Sequence, residues 1–148
     1  MKEFKIDYDK SYDLFLKYKS RLLPKEPYKN IYKISNSEPE NFLPNNQKWK
    51  IVYGYMTIFG QLICRHCFFI DENDNVIDPT IFLSPNNSKD KIIAIKYFPL
   101  RVFYDINEYN EKIKQNNWQP NIFNLIKYRE KDIQQWLDRK NYLIIGKN

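Results

Sequence analysis

Several residue types are scarce in this chain, and each scarcity excludes a class of protein. The 148 residues include 3 glycines, so the glycine-rich loop of a nucleotide-binding protein is excluded. There are 2 cysteines, Cys64 and Cys67, which are too few for the disulfide framework of a small secreted domain. A zinc site would need two further ligands, and a thioredoxin-like pair would need a helix start. We therefore expect two free thiols on opposite faces of a strand, with no metal and no cofactor.

Long apolar runs are also missing. No stretch approaches the roughly 18 to 20 apolar residues that a membrane helix requires. The first segment, MKEFKIDYDK, is charged and lacks the apolar core of a signal peptide. We expect a cytoplasmic protein that makes no contact with membranes.

The chain is basic, with a net charge of +6 and a pI near 9.1. That charge permits an acidic partner such as a nucleic acid. However, the lysines are spread along the chain without a block of like charge. Lysine is abundant together with Asn, Ile, Tyr and Phe, as an AT-rich genome would encode, and this bias alone accounts for the charge. The sequence therefore predicts weak, salt-sensitive nucleic-acid binding at most.

The hydrophobic content of 43% and the aromatic content of 17% indicate one folded domain over residues 1–148. The pattern predicts an α+β fold with an antiparallel sheet of about four strands and helices packed on one side. A meander of three strands is expected first, followed by a fourth strand. The predicted strands are Trp49–Phe59, Gln61–Ile70, Val76–Asp78 and Lys91–Phe98, with a further short strand at Tyr142–Ile145.

Helices are predicted on both sides of this meander in the sequence. The first begins at an N-cap, Asp9, buries Tyr12, Phe15 and Leu16, and ends before Pro24. Pro27 is well placed to open the second, because proline is favoured at the first helical position. A polar loop is expected from Ser35 to Lys48. Two later helices are predicted, one capped by Asp105 with Glu108 and running to about Asn116, and one over Arg129–Lys140.

The segment from Arg65 to Thr80, RHCFFIDENDNVIDPT, has the pattern of a β-hairpin that ends at Asp78-Pro79. Its geometry places the chain's one histidine, His66, opposite Asp78. A carboxylate there could fix the imidazole tautomer and leave the second ring nitrogen to act as a base. The alternative is structural, since a lone histidine on an apolar strand face is more often a core residue with a satisfied hydrogen bond.

The stretch KIVYGYMTIFGQLICRHCFFIDENDNVIDPT resembles small transglutaminase-like (papain-like) proteins of bacteria and phages. The features that match are the Gly54-Tyr55 strand, the His-x-aromatic pattern at His66, and the Asp-Pro-Thr strand end at Asp78. The resemblance implies a papain-like fold in which His66 and Asp78 belong to a Cys-His-Asp triad. It also implies a nucleophilic cysteine at an upstream helix start, in a pattern like Lys-x-Cys-Tyr-x-Asn. Here that pattern reads KEPYKN, with Pro27 at the cysteine position.

Three functions follow as alternatives. A catalytically degenerate domain would act by binding a protein partner, and the biased composition would fit a phage or viral factor. A hydrolase or acyltransferase would use His66 and Asp78 with a non-standard nucleophile, for which Ser35, Ser37 and Cys64 are weak candidates. A basic nucleic-acid-binding module is the third alternative.

Overall fold

The computed structural model describes residues 1–43, 48–85 and 87–146. Within these residues the chain forms an α+β fold around one open sheet of five strands, in the order β3-β2-β1-β4, with β5 also beside β2. All pairs are antiparallel except β5 with β2. The strands are β1 (Trp49–Phe59), β2 (Leu62–Asp71), β3 (Val76–Ile77), β4 (Tyr97–Phe103) and β5 (Leu143–Ile145).

The predicted meander β1-β2-β3 is confirmed, and so is the short last strand. Gly60 turns the chain between β1 and β2 with a φ of +55°, a conformation that glycine adopts without strain. Gly54 has a different role, because a Cβ there would lie 2.0 Å from the carbonyl oxygen of Phe98. The close approach of β4 to β1 therefore requires glycine at this position, directly beside His66 in the register of β1 with β2.

The outer edge of β2 is paired at its two ends and not in its middle. β3 pairs with Phe69 and Ile70, whereas β5 pairs with the segment Leu62–Cys64. Among the described strands, none pairs on this side with residues 65–68. Helix α2 (Pro27–Ser37) approaches β2 at this edge. The unpaired segment 65–68 leaves space for a cavity at this edge of the sheet.

The remaining helices are α1 (Tyr8–Tyr18), α3 (Lys89–Ile93), α4 (Ile106–Gln115), α5 (Phe123–Ile126) and α6 (Gln134–Lys140). Three short 3-10 helices are described, at Pro39–Phe42, Thr80–Leu83 and Lys127–Ile133. No helix in the described part of the chain is long and apolar enough to cross a membrane.

Two of the predicted caps give different outcomes. Asp105 caps α4 as expected, because its side chain accepts a hydrogen bond from the N–H of Asn107. The cap of α1 is Asp7 rather than Asp9, since Asp7 accepts from the N–H of Lys10 at 3.0 Å.

The buried face of α1 also differs from the predicted one. The predicted face is wrong for two of its members, because Tyr12 and Leu16 are exposed. Leu14 and Tyr18 are buried in their place. Residues 11, 14, 15 and 18 also have helical spacing, and only the position of the sheet selects between the two faces.

The expectation that helices cover one side of the sheet is wrong. Alternate residues of β1 enter different cores: Ile51 and Tyr53 pack with α2, α4 and α5, and Val52 packs on the opposite side. That second core receives Ile92 of α3 and Ile81 of the 3-10 helix after β3. Both faces of the sheet are therefore buried.

The predicted strand Lys91–Phe98 is also wrong, except for its last two residues. Ser88 caps a helix by accepting from the N–H of Lys91, and Ile92 and Ile95 are buried together on the second core. The strand begins only at Tyr97. In the predicted loop Ser35–Lys48, helix α2 continues to Ser37, and residues 44–47 lie outside the described residues.

Candidate functional site

His66 and Asp78 meet at the edge of the sheet, where β3 ends. His66 Nε2 lies 2.7 Å from Asp78 Oδ2, and both side chains are buried, with 5% and 0% of their residues exposed. The predicted proximity of the two residues is therefore confirmed. Because an ionised carboxylate only accepts hydrogen bonds, Nε2 carries the proton, and in a neutral ring Nδ1 keeps its lone pair. Nδ1 makes no hydrogen bond to the described residues.

Asp78 is held from three directions. The hydroxyl of Tyr97 donates to the same Oδ2 at 2.8 Å, and the backbone N–H of Asp78 donates to Ser11 Oγ at 3.0 Å. Burial, with Asp78 beside it, raises the pKa of Tyr97 well above its ordinary range, so this hydroxyl stays a donor. Asp78 Oδ1 is buried and has no hydrogen-bond partner among the described residues. The carboxylate is thus fixed in place with one oxygen unused.

The tight turn before β3 sets the position of Asp78. The side chain of Asp71 accepts from the N–H groups of Asn73 and Asn75, both at 2.9 Å, and from Lys10 Nζ at 2.9 Å. Burial alone would raise the pKa of Asp71, but these hydrogen bonds outweigh it and lower the pKa below its ordinary value. The Asn- and Asp-rich turn that the sequence indicates therefore closes on its own side chains.

Pro27 opens α2 as predicted, and it lines the same cavity as His66. The cavity holds about 660 Å³ and lies against the unpaired middle of β2. The buried side chain of Asn30 fixes this end of the helix, since it donates to Thr80 Oγ1 at 3.0 Å and exchanges two hydrogen bonds with the backbone of Leu23. The start of α2 and His66 therefore share one cavity, and the residue at the helix start has no nucleophilic atom.

Cys64 also lines this cavity, two residues from His66 on the same face of β2. Burial raises the pKa of the Cys64 thiol to about 11, and the charge of Asp78 adds to the shift. A thiol with that pKa is almost wholly protonated at neutral pH, and the thiolate is the nucleophile. Cys67 points to the other face and is buried in the core. Both cysteines are free.

The two serines considered as nucleophiles lie elsewhere. Ser35 is buried within α2, where its hydroxyl donates to the carbonyl of Tyr32 at 3.1 Å. Ser37 donates to the carbonyl of Lys33 at 2.7 Å. Neither lines the cavity.

A second polar cluster lies on the opposite face of β2, next to the His66–Asp78 pair. Arg65 binds Glu130 through two nitrogens, with Nε at 3.0 Å from Oε2, and Tyr55 donates to that same oxygen at 2.6 Å. The hydrogen bond with Glu130 raises the pKa of Arg65, which is charged in any case. The guanidinium also stacks on Phe123 at 5.0 Å. Sequence reasoning missed this cluster, because Glu130 lies 65 residues from Arg65 and no local pattern joins them.

Within the described residues, no group of three or more His, Cys, Asp or Glu side chains could hold a metal ion. No known protein family matches the sequence, and neither a curated protein nor a solved structure is significantly similar to the chain. The transglutaminase-like resemblance is therefore carried by the residues quoted above and stays a prediction.

Proposed function

We propose that this chain is a catalytically degenerate, transglutaminase-like domain that acts by binding a protein partner at the cavity of Pro27 and His66. One observation supports the proposal: the helix start that shares a cavity with His66, the partner of Asp78, bears a proline. In a Cys-His-Asp arrangement the imidazole acts by activating a neighbouring thiol, and the residue at this helix start has none. Cys64 does not replace that nucleophile, since its raised pKa leaves little thiolate at neutral pH.

The cavity itself favours binding. Apolar side chains such as Met56, Ile58 and Ile81 supply much of its wall, and polar side chains such as Asn121 and Asn124 also reach it, so a partner can make both kinds of contact there. Two large apolar side chains at the adjoining hairpin tip, Ile58 and Phe59, are 52% and 80% exposed. Exposed apolar groups next to a pocket are typical of a protein-protein contact.

A thiol introduced at position 27 tests whether this position corresponds to that of a nucleophile. In a Cys64→Ala background, Pro27→Cys should create a thiol at a helix start next to His66, with a pKa lowered into the range of roughly 3.5 to 7.5. We expect iodoacetamide to label it at pH 7 at least tenfold faster than it labels Cys64 in the wild type. Adding His66→Ala should remove that acceleration. Labelling that does not depend on His66 would contradict the correspondence between Pro27 and a nucleophile position.

A blocked cavity tests the binding. Asn124 lines the cavity and is exposed, so Asn124→Trp should fill the opening without disturbing the core. Pull-down from the source cell with this variant should lose a protein that the wild type retains. Glu111→Trp, on the exposed side of α4, is the matched control and should retain it. Equal retention by both variants would contradict binding at the cavity.

A hydrolase is the second candidate, and the unengaged Nδ1 of His66 is the observation that favours it. An imidazole anchored through Nε2 can accept a proton from water at Nδ1 as a general base. Hydrolysis of a panel of ester and amide substrates that is lost in His66→Gln and kept in Cys64→Ala would establish this alternative in place of the binding function.

A further inference from the structure

The cavity of Pro27 and His66 continues into a second cavity of about 780 Å³ along the end of the β1-β2 hairpin. Met56, Ile58, Ile81 and Ser84 line both cavities. We call the two cavities together the hairpin groove, and two adjoining cavities suit an extended chain rather than a compact small molecule. Its shared wall is mostly aliphatic.

The charged side chains along the hairpin groove are all cationic. Lys25 lines the first cavity, and Lys91 and Lys96 line the second. No described acidic side chain lines either cavity. Arg65 also reaches the groove, but Glu130 neutralises it.

The three lysines are not matched by acids in the part of the chain that the structure describes. Among the described residues, none of them forms an ion pair, and the nearby Glu26 pairs with Lys29 at 3.8 Å. Lys25 and Lys91 are exposed, and Lys96 is half-buried beside the groove. Positive charge with no partner among the described residues therefore lies beside both cavities of a largely apolar groove, which is complementary to apolar side chains interspersed with carboxylates.

We propose that the hairpin groove binds an extended acidic segment of the partner protein, with apolar side chains in the two cavities and carboxylates at the lysines. This rests on the proposed binding function and adds the chemistry of the partner. Charge complementarity favours an acidic occupant, because the unmatched charges that the described residues place along the groove are positive. Nucleic acid fits less well, since single strands bind by stacking successive bases on aromatic side chains, and the shared wall of Met56, Ile58 and Ile81 has none. The aromatic side chains of the groove are divided between its two cavities, with Tyr28 and Phe123 in the first and Phe59 in the second.

A displayed library of random 12-residue peptides tests the inference on the intact protein. Peptides selected on the wild type should be enriched in Asp and Glu, alternating with Leu, Ile or Phe, relative to the unselected library. The affinity of the best peptide is then measured by fluorescence anisotropy against two triple variants. The first is Lys25→Gln, Lys91→Gln, Lys96→Gln. The second is Lys114→Gln, Lys127→Gln, Lys131→Gln, which lowers the net charge equally at exposed sites outside the groove.

We expect the first triple variant to bind the peptide roughly tenfold more weakly and the second to change affinity less than twofold. Equal weakening in both variants would overturn the inference, because it would mean unspecific charge attraction. Selection of no peptides, or of peptides without acidic residues, would also overturn it. Tighter binding of a 12-residue oligo-dT than of the best peptide, lost in the first variant, would assign the groove to nucleic acid.

Failure here is distinguishable from failure of the proposed function. Suppose that the selected peptides lack acidic residues but still compete with the partner protein whose binding Asn124→Trp abolishes. The binding function would then stand, and only the acidic preference would be removed. Conversely, His66-dependent hydrolysis would remove the non-catalytic proposal whatever the library selects.

Discussion

Two neighbouring residues of β2 carry the same arrangement on opposite faces of the sheet. In the histidine cluster, His66 and Tyr97 donate to one oxygen of Asp78. In the arginine cluster, Arg65 and Tyr55 donate to one oxygen of Glu130. The arginine cluster is a permanent ion pair with two nitrogens engaged, which suits a structural role. The histidine cluster leaves Nδ1 and Asp78 Oδ1 unengaged among the described residues. Similar contacts can therefore use up the hydrogen-bonding groups of one site and leave groups of the other site able to bind or to react.

The largest effect is expected from removing the buried carboxylate of the histidine cluster. Asp78→Ala leaves the imidazole and the Tyr97 hydroxyl without an acceptor in a site where Tyr97 has no exposure and His66 has 5%. At about 1 to 3 kcal/mol for each buried group left unpaired, the free energy of unfolding should fall by about 4 kcal/mol. Urea denaturation measures it. Glu111→Ala, an exposed acid of α4, is the control and should change it by less than about 0.5 kcal/mol.

The corresponding substitution in the arginine cluster, Glu130→Ala, should lower the free energy of unfolding by less. The Arg65 side chain is 11% exposed, so in Glu130→Ala part of the guanidinium can turn to water. We expect a loss of about 3 kcal/mol, at the low end for breaking a buried pair. If Glu130→Ala destabilised the protein more than Asp78→Ala does, the arginine cluster would be the principal anchor of this edge of the sheet.

The reactivity of Cys64 should depend steeply on pH. Burial and the charge of Asp78 raise its pKa from the ordinary 9.0 to about 11, which favours the protonated thiol. The thiolate fraction at pH 7 is then roughly a hundredfold smaller than for an ordinary cysteine, and it should rise about tenfold per pH unit until pH 11.

Iodoacetamide labelling, with the modified peptide identified by mass spectrometry, measures this profile. The unfolded protein in urea is the control and should label with the ordinary pKa. A plateau in the folded protein below pH 9 would mean that Cys64 is an activated thiol, which would favour the enzymatic alternative.

The smallest effects compare the two tyrosines. Tyr97→Phe removes a donor to a carboxylate that is completely buried, and we expect a loss of about 1.5 kcal/mol in unfolding free energy. Tyr55→Phe leaves Glu130 with its arginine, and the loss should be about 0.5 to 1 kcal/mol. Thermal or urea denaturation of the two variants side by side decides the order. A reversed order would mean that Asp78 gains little from Tyr97.

Sequence reasoning was most accurate where the partners are close in the chain. His66 and Asp78 lie 12 residues apart in one hairpin, so strand periodicity and the turn residues place them opposite each other. Pro27 at a helix start follows from the fixed φ of proline and its missing N–H. The Asp105 cap is equally local. The roles of these residues, and the transglutaminase-like resemblance, stay predictions.

The errors arose where distant contacts outweigh local pattern. Lys91–Ile93 has the composition of a strand, yet Ser88 caps a helix there, because Ile92 and Ile95 then reach the second core together. The buried face of α1 was wrong for the same reason. A helical pattern with two candidate faces is decided only by what packs against it.

The amino-acid sequence by itself determined the α+β class, the meander, the histidine opposite its aspartate and the proline at the start of α2, since each depends on backbone geometry over a few residues. Only the tertiary structure decided which groups share the groove. Glu130 reaches Arg65 across 65 residues, Tyr97 reaches Asp78 across 19, and Lys25 lies along the same groove as Lys91 and Lys96. The physical reason is that such contacts depend on how the two faces of the sheet are covered, and no local spacing encodes that.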